Sequence, residues 1–236
     1  MISTIVNHSI AGAFSRRRTS ARALFCCVFF FAGVSANGEP IGKYGRMLDT
    51  FLEELHVEQY WNAGLKVDWK TGVPVVPEEK LPNNRSHCSA FVAAVCFRLG
   101  IYILRPPEHD LQFLAKAQGV WLQKHGDEWG WFGVPSVRDA QALANMGFLV
   151  IASYRQPSPG KRGHIAIVRP STKSDQLIEI EGPDIIQAGK TNYSLTSLSI
   201  GFKSFDQAFK KNAIRYFAHY IAQENWKKIE MPFSQD

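Results

Sequence analysis

The sequence predicts an α+β protein in which N-terminal helices pack on an antiparallel β-sheet. Two observations carry this. The first half holds long stretches with apolar residues at helical spacing, "GRMLDTFLEELHV" and "DLQFLAKAQGVWLQKHG". The second half holds short β-type runs, "FLVIASY", "HIAIV" and "AIRYFAHYIA", set off by Gly, Pro and polar punctuation. Helices that come early and strands that come late point to an α+β order.

Taken in order, residues 1–22 carry Arg16, Arg17, Arg18 and Arg22 and no acid. The short apolar block "ALFCCVFFFAGV" follows, then Val34-Ser35-Ala36. A basic segment, a short apolar core and a small-residue end read as a secretory signal peptide over 1–36, cleaved after Ala36. The block falls short of the roughly 20 residues a membrane span needs, so no membrane association is expected after cleavage. An uncleaved anchor is the alternative. The protein is expected to be secreted or periplasmic, and residues 37–236 suit one domain.

Charge supports no nucleic-acid partner. The chain has 27 Lys+Arg against 21 Asp+Glu. The leader takes four arginines and no acid, which leaves 23 against 21. The basic balance belongs largely to the leader.

The first helix is the amphipathic "GRMLDTFLEELHV", and the Pro- and Trp-containing "YWNAGLKVDWKTGVPVVPEEKLP" reads as an ordered loop. "HCSAFVAAVCFRLG" is the second helix. Phe91, Val92, Val95, Cys96 and Leu99 form its apolar stripe, Gly100 stops it, and Asn84 or Ser86 is the expected cap. "DLQFLAKAQGVWLQKHG" is the third. In "GDEWGWFGVP", Trp129 and Trp131 are candidates to stack on a sugar or line a peptide groove. "SVRDAQALANMG" has Ser136 and Asp139 in capping-box register and ends at Gly147. "FLVIASY" is a strand, and "PSPGKRGHIAIVRP" is a polar loop feeding a strand that begins at His164. "QLIEIEGPDIIQAGKTNY" reads as the strand beside it, and "AIRYFAHYIA" as the closing strand.

Cys88 and Cys96 are the cysteines outside the leader. Eight residues along a helix is about 12 Å of rise, and a disulfide needs Cα atoms within about 7 Å. They cannot pair within one helix. Cys96 falls on the apolar stripe and reads as a core thiol. Cys88 falls in the first turn, where free N–H groups and the helix dipole favour a thiolate. A thiolate nucleophile needs a base. His87 adjoins Cys88 but points about 100° away on a helix. His164, at a strand mouth beside a loop of small residues, is the better partner. Two inert core cysteines and a surface histidine are the bland alternatives.

"HCSAFVAAV" followed by "GHIAIV" resembles the bacterial papain-like cell-wall cysteine hydrolases, including CHAP-type amidases, peptidoglycan endopeptidases and amidase effectors. The resemblance spans roughly residues 80–190. It implies a papain-like core with Cys88 as nucleophile, His164 as general base and acid, and a third residue that orients the imidazole. Gln187 and Glu181 are candidates for that third role, with Asn192 weaker, and Gln187 is favoured slightly because Gly182-Pro183 interrupts the run after Glu181. The oxyanion hole would use the Cys88 N–H and a side chain from Asn83 or Asn84. The implied substrate is a peptidoglycan stem or cross-bridge peptide, and an effector role admits an inhibitory or immunity protein as partner. No HExxH or paired-Cys motif is present, so no metal or other cofactor is expected. A cysteine protease or transglutaminase-like enzyme, and a catalytically silent cell-wall or partner-binding domain, are the alternatives.

Overall fold

A computed structural model describes residues 38, 40–81, 85–112, 114–156, 162–205 and 208–229. The chain divides between Gly33 and Val34, and the described residues all belong to the unit that begins at Val34. The expected leader, 1–36, lies outside the described residues. Among the described residues, no helix is long and apolar enough to cross a membrane.

The unit is α+β. Its helices are α1 (Lys43–Glu53), α2 (Cys88–Arg98), α3 (Leu114–His125), α4 (Val137–Met146), α5 (Asp175–Glu181), α6 (Leu198–Gly201) and α7 (Gln223–Ile229). Its strands are β1 (Trp131–Val134), β2 (Leu149–Tyr154), β3 (His164–Val168), β4 (Asp184–Ala188), β5 (Asn192–Ser197) and β6 (Ile214–His219). They form one sheet in the order β1-β6-β2-β3-β4-β5. Every neighbouring pair is antiparallel.

Strand alternation sends successive side chains to opposite faces, and each face buries its own core. Ile165 and Ile167 of β3 join Leu149, Ile151 and the apolar residues of α1, α2 and α3. Ala166 and Val168 join Val150, Ala152, Ala140 and Ala144 of α4, and Leu198 and Phe202. Helices therefore cover both faces.

Residues Cys88–Cys96 of α2 are all buried, which goes beyond the expected stripe. A helix that is apolar all round belongs in an interior. The sheet covers one side of α2, and the loop over 56–81 covers another. That loop is ordered, with bridges at Leu65–Lys80 and Val67–Pro74. It sets Trp61, fully buried, edge-on against Phe91 of α2, with ring centroids 5.2 Å apart.

Three expectations are corrected. "QLIEIE" forms α5, not a strand. Ser174 caps it by accepting the Leu177 N–H, and Gly182 at φ +80° ends it. The spacing of Leu177, Ile178 and Ile180 suits either period over so few residues. A strand would bury Ile178 and Ile180 together, whereas only Ile178 is buried and Ile180 is 65% exposed. "AIRYFAHYIA" supplies an internal strand, β6, between β1 and β2, and does not close the sheet. Helices α4, α5 and α6 fall among the strands and α7 follows the last of them, so helices are not confined to the first half.

Candidate active site

Cys88 is the first residue of α2. His87 occupies the cap position without a capping side chain, so Ser86 does not cap the helix as expected. The His87 ring instead meets the Leu65 carbonyl at 2.7 Å, away from the cleft. Asn83 and Asn84, and with them the expected side-chain oxyanion donor, lie outside the described residues.

The Ile165 and Ser89 backbones and the Ser86 side chain are placed to hydrogen-bond the Cys88 sulfur, and its own amide lies beside it. Each favours the thiolate, but burial outweighs them and pushes the thiol above its ordinary value. The expectation of a thiolate at rest is therefore reversed. The helix N-terminus is present, but a sulfur in a residue only 5% exposed has lost the water that would solvate its charge. Cys96 is also a free, fully buried thiol, with its pKa raised by the same cause.

His164 opens β3, opposite Tyr154 in the register. Its Nε2 lies 2.8 Å from Gln187 Oε1. The Gln187 amide nitrogen donates to the Thr191 carbonyl at 3.2 Å, which leaves its oxygen to accept. Hence Nε2 carries the proton, and Nδ1 of the neutral ring is the free acceptor. The ring stacks on Phe205, centroids 4.9 Å apart and 11° between planes, with Phe202 edge-on at 4.6 Å. Burial among these groups pulls His164 down to about 4, and the Gln187 bond offsets this only in part.

Gln187 is held from two sides by residues without a Cβ. A Cβ at Gly189 would stand 2.5 Å from the Gln187 amide nitrogen, and one at Gly201 would stand 2.7 Å from Oε1. Such contacts are too close for any side chain, so these glycines let the backbone close on the amide.

The structure thus brings His164 and Gln187 together directly. It sets the Cys88 thiol against Ile165, the next residue along β3. The His164 ring lies on the sheet face of Phe202, opposite the face that α2 covers. Any approach of imidazole to thiol runs round the open end of β3. Two adjoining hollows meet there. One, about 480 Å³, includes His164 and Gln187 in its lining; the other, about 70 Å³, includes Cys88 and Ser89. Ser86, Arg162 and Gly163 line both.

The remaining candidates lie elsewhere. Glu181 ends α5 and pairs with Lys173 at 2.9 Å, so it does not orient His164. Asn192 donates to the Val57 and Tyr60 carbonyls at 2.7 and 2.8 Å and fastens the loop to β5. Trp131 is 2% exposed, with its Nε1 donating to the Tyr102 carbonyl at 2.8 Å. It is a core residue, and the groove role falls away. Trp129 is half exposed and tilts against Tyr102, with centroids 4.3 Å apart. Among the described residues, no group of three His, Cys, Asp or Glu side chains could hold a metal ion.

The sequence points to Ser86 only as a cap and not as a neighbour of the thiol, and it gives no sign of Phe202 and Phe205 beside His164. "RSHC" places Ser86 two residues before the thiol, which is a readable signal. Phe202 and Phe205 lie some 40 residues beyond His164 and carry no local mark. No protein-family model matches this chain, and no curated protein matches it either.

Proposed function

We propose that the protein is an exported cysteine hydrolase with a papain-like core that cuts an amide bond in the peptide part of peptidoglycan. The observation that supports this reading best is the run of three polar groups around one strand mouth: Cys88 against the backbone of Ile165, His164 next along the chain, and Gln187 bonded to the His164 ring. A nucleophile, a base and an orienter are the parts that acyl transfer needs.

In this reading the Cys88 thiol gives its proton to His164 Nδ1 as the sulfur attacks the amide carbonyl. A C–S bond forms and the carbonyl electrons move to oxygen. The backbone N–H of Cys88, at the start of α2, is the oxyanion donor. Collapse breaks the C–N bond, and the imidazolium returns the proton to the leaving amine. Water, deprotonated by the same Nδ1, then attacks the thioester carbonyl; the C–S bond breaks, the carboxylic acid product leaves, and the imidazolium returns the proton to the Cys88 sulfur. Gln187 keeps Nε2 protonated throughout, so that Nδ1 stays the working atom. Because His164 sits near 4 and the thiol is raised, the resting pair is neutral, and the proton moves during attack.

The rival reading is a catalytically silent binding domain, and the depth of Cys88 favours it. Incubation of purified peptidoglycan with the protein, followed by mass analysis of the released muropeptides, separates the two. The hydrolase reading expects a loss of one amide bond per product. It also expects Cys88→Ala and His164→Ala to abolish release or slow it by at least about 10²-fold, while Cys96→Ala retains it. Intact peptidoglycan after wild-type treatment, or full activity in Cys88→Ala, overturns the hydrolase.

A further inference from the structure

Four cations from four separate parts of the chain line the two adjoining hollows. Arg85 precedes α2, Arg162 precedes β3, Lys190 lies in the β4–β5 turn and Lys203 follows α6. Neither hollow has an Asp or Glu among its described lining residues. Four cations elsewhere on the unit do pair with acids: Lys66 with Glu79, Arg138 with Glu179, Arg169 with Asp49 and Glu53, and Lys173 with Glu181 and Asp184. Among the described residues, none of the four cleft cations makes an ion pair. Arg85 Nε is also shut off from solvent with no hydrogen-bond partner among them. The lysines and arginines of the domain nearly balance its acids, so this one-signed lining reflects placement, not composition.

We propose that the cleft recognises an anionic ligand, a peptide with free carboxylates, through Arg85, Arg162, Lys190 and Lys203. Like charges gathered without counter-charges repel one another, and a bound anion relieves that. Guanidinium groups match carboxylates by paired, charge-assisted hydrogen bonds, and lysines add point charge. Arg162 lines both hollows, so a carboxylate held there lies beside the path from His164 to Cys88. The inference rests on the cleft being the substrate site proposed above and adds the charge of what it takes.

The test measures binding, so that it stands apart from turnover. Cys88→Ala is titrated with an N-acetylated stem-type tetrapeptide carrying two free carboxylates, and with the same peptide fully amidated. The acidic peptide is expected to bind about tenfold or more tightly, with the difference fading between about 50 and 500 mM NaCl. Adding Arg162→Gln and Lys203→Gln to the same background should bring the two peptides within about twofold, with an unchanged melting temperature as the check on folding. Equal binding of both peptides, no binding of either, a preference that survives the charge substitutions, or tighter binding of a short single-stranded oligonucleotide overturns the proposal. Carboxylate-dependent binding alongside intact peptidoglycan in the digestion assay leaves this inference standing and removes only the hydrolase.

Discussion

At the scale of the residue, the same burial acts in opposite senses on Cys88 and His164. It raises the thiol and lowers the imidazole, so both are neutral at pH 7. Cys88 should then alkylate slowly with iodoacetamide at pH 7, and its rate should climb through pH 9 and above. A rate already at its plateau below pH 7 would show a resting thiolate instead. Gln187 permits a sharper measurement. Gln187→Glu places a carboxylate 2.8 Å from Nε2 and should raise the His164 pKa. If His164 is the base, the acid limb of kcat/KM moves to higher pH in Gln187→Glu. Gln187→Ala lowers kcat by less than His164→Ala does. An acid limb that stays in place would remove Gln187 from the orienting role.

At the scale of the element, the best-read parts of the sequence are those whose signal is local. Ser136 accepts the Asp139 N–H at 3.1 Å and caps α4, and Gly147 at φ +94° ends it, as the "SVRDAQALANMG" pattern indicates. Ser136→Ala should cost about 1 kcal/mol of stability in chemical denaturation, with no change at the cleft. His164 stands at the first position of its strand, as "GKRGHIAIV" suggests, because a Gly-containing polar loop leads into the apolar run. The errors fall where the pattern is too short or the cause is distant. Seven residues of α5 do not separate a period of 2 from one of 3.6, so the pattern suggests Glu181 beside His164, whereas it lies at a helix end paired with Lys173. The four residues of β1 are set by pairing with β6, more than eighty positions later. The sequence marks Gln187 only as one of three candidates, with Glu181 and the weaker Asn192, because its contact depends on Gly189, Gly201 and the β4 register.

At the scale of the whole molecule, the buried histidines link the fold to pH. His164 holds about 4 when folded against 6.5 as its ordinary value, and burial lowers His87 as well. Between those values the unfolded chain binds a proton that the folded one refuses. Stability from these groups is therefore fully present above about pH 6.5 and is lost as pH falls toward 4. For His164 the loss approaches roughly 3 kcal/mol. Urea unfolding at pH 7 and pH 5 should show it, and His164→Gln should flatten the dependence without abolishing it, since His87 remains. An unchanged slope in that variant would place the acid sensitivity elsewhere. Helix α2 carries a further consequence. Buried from Cys88 to Cys96, it belongs to the part of the chain that opens only when everything opens, whereas the cations of the cleft sit on loops and turns. Amide protons of Val92 to Cys96 should therefore be among the last to exchange with deuterium, and those of Lys190 and Lys203 among the first. The thiol would thus be carried by the slowest-breathing segment, while the groups that greet a ligand ride on faster ones.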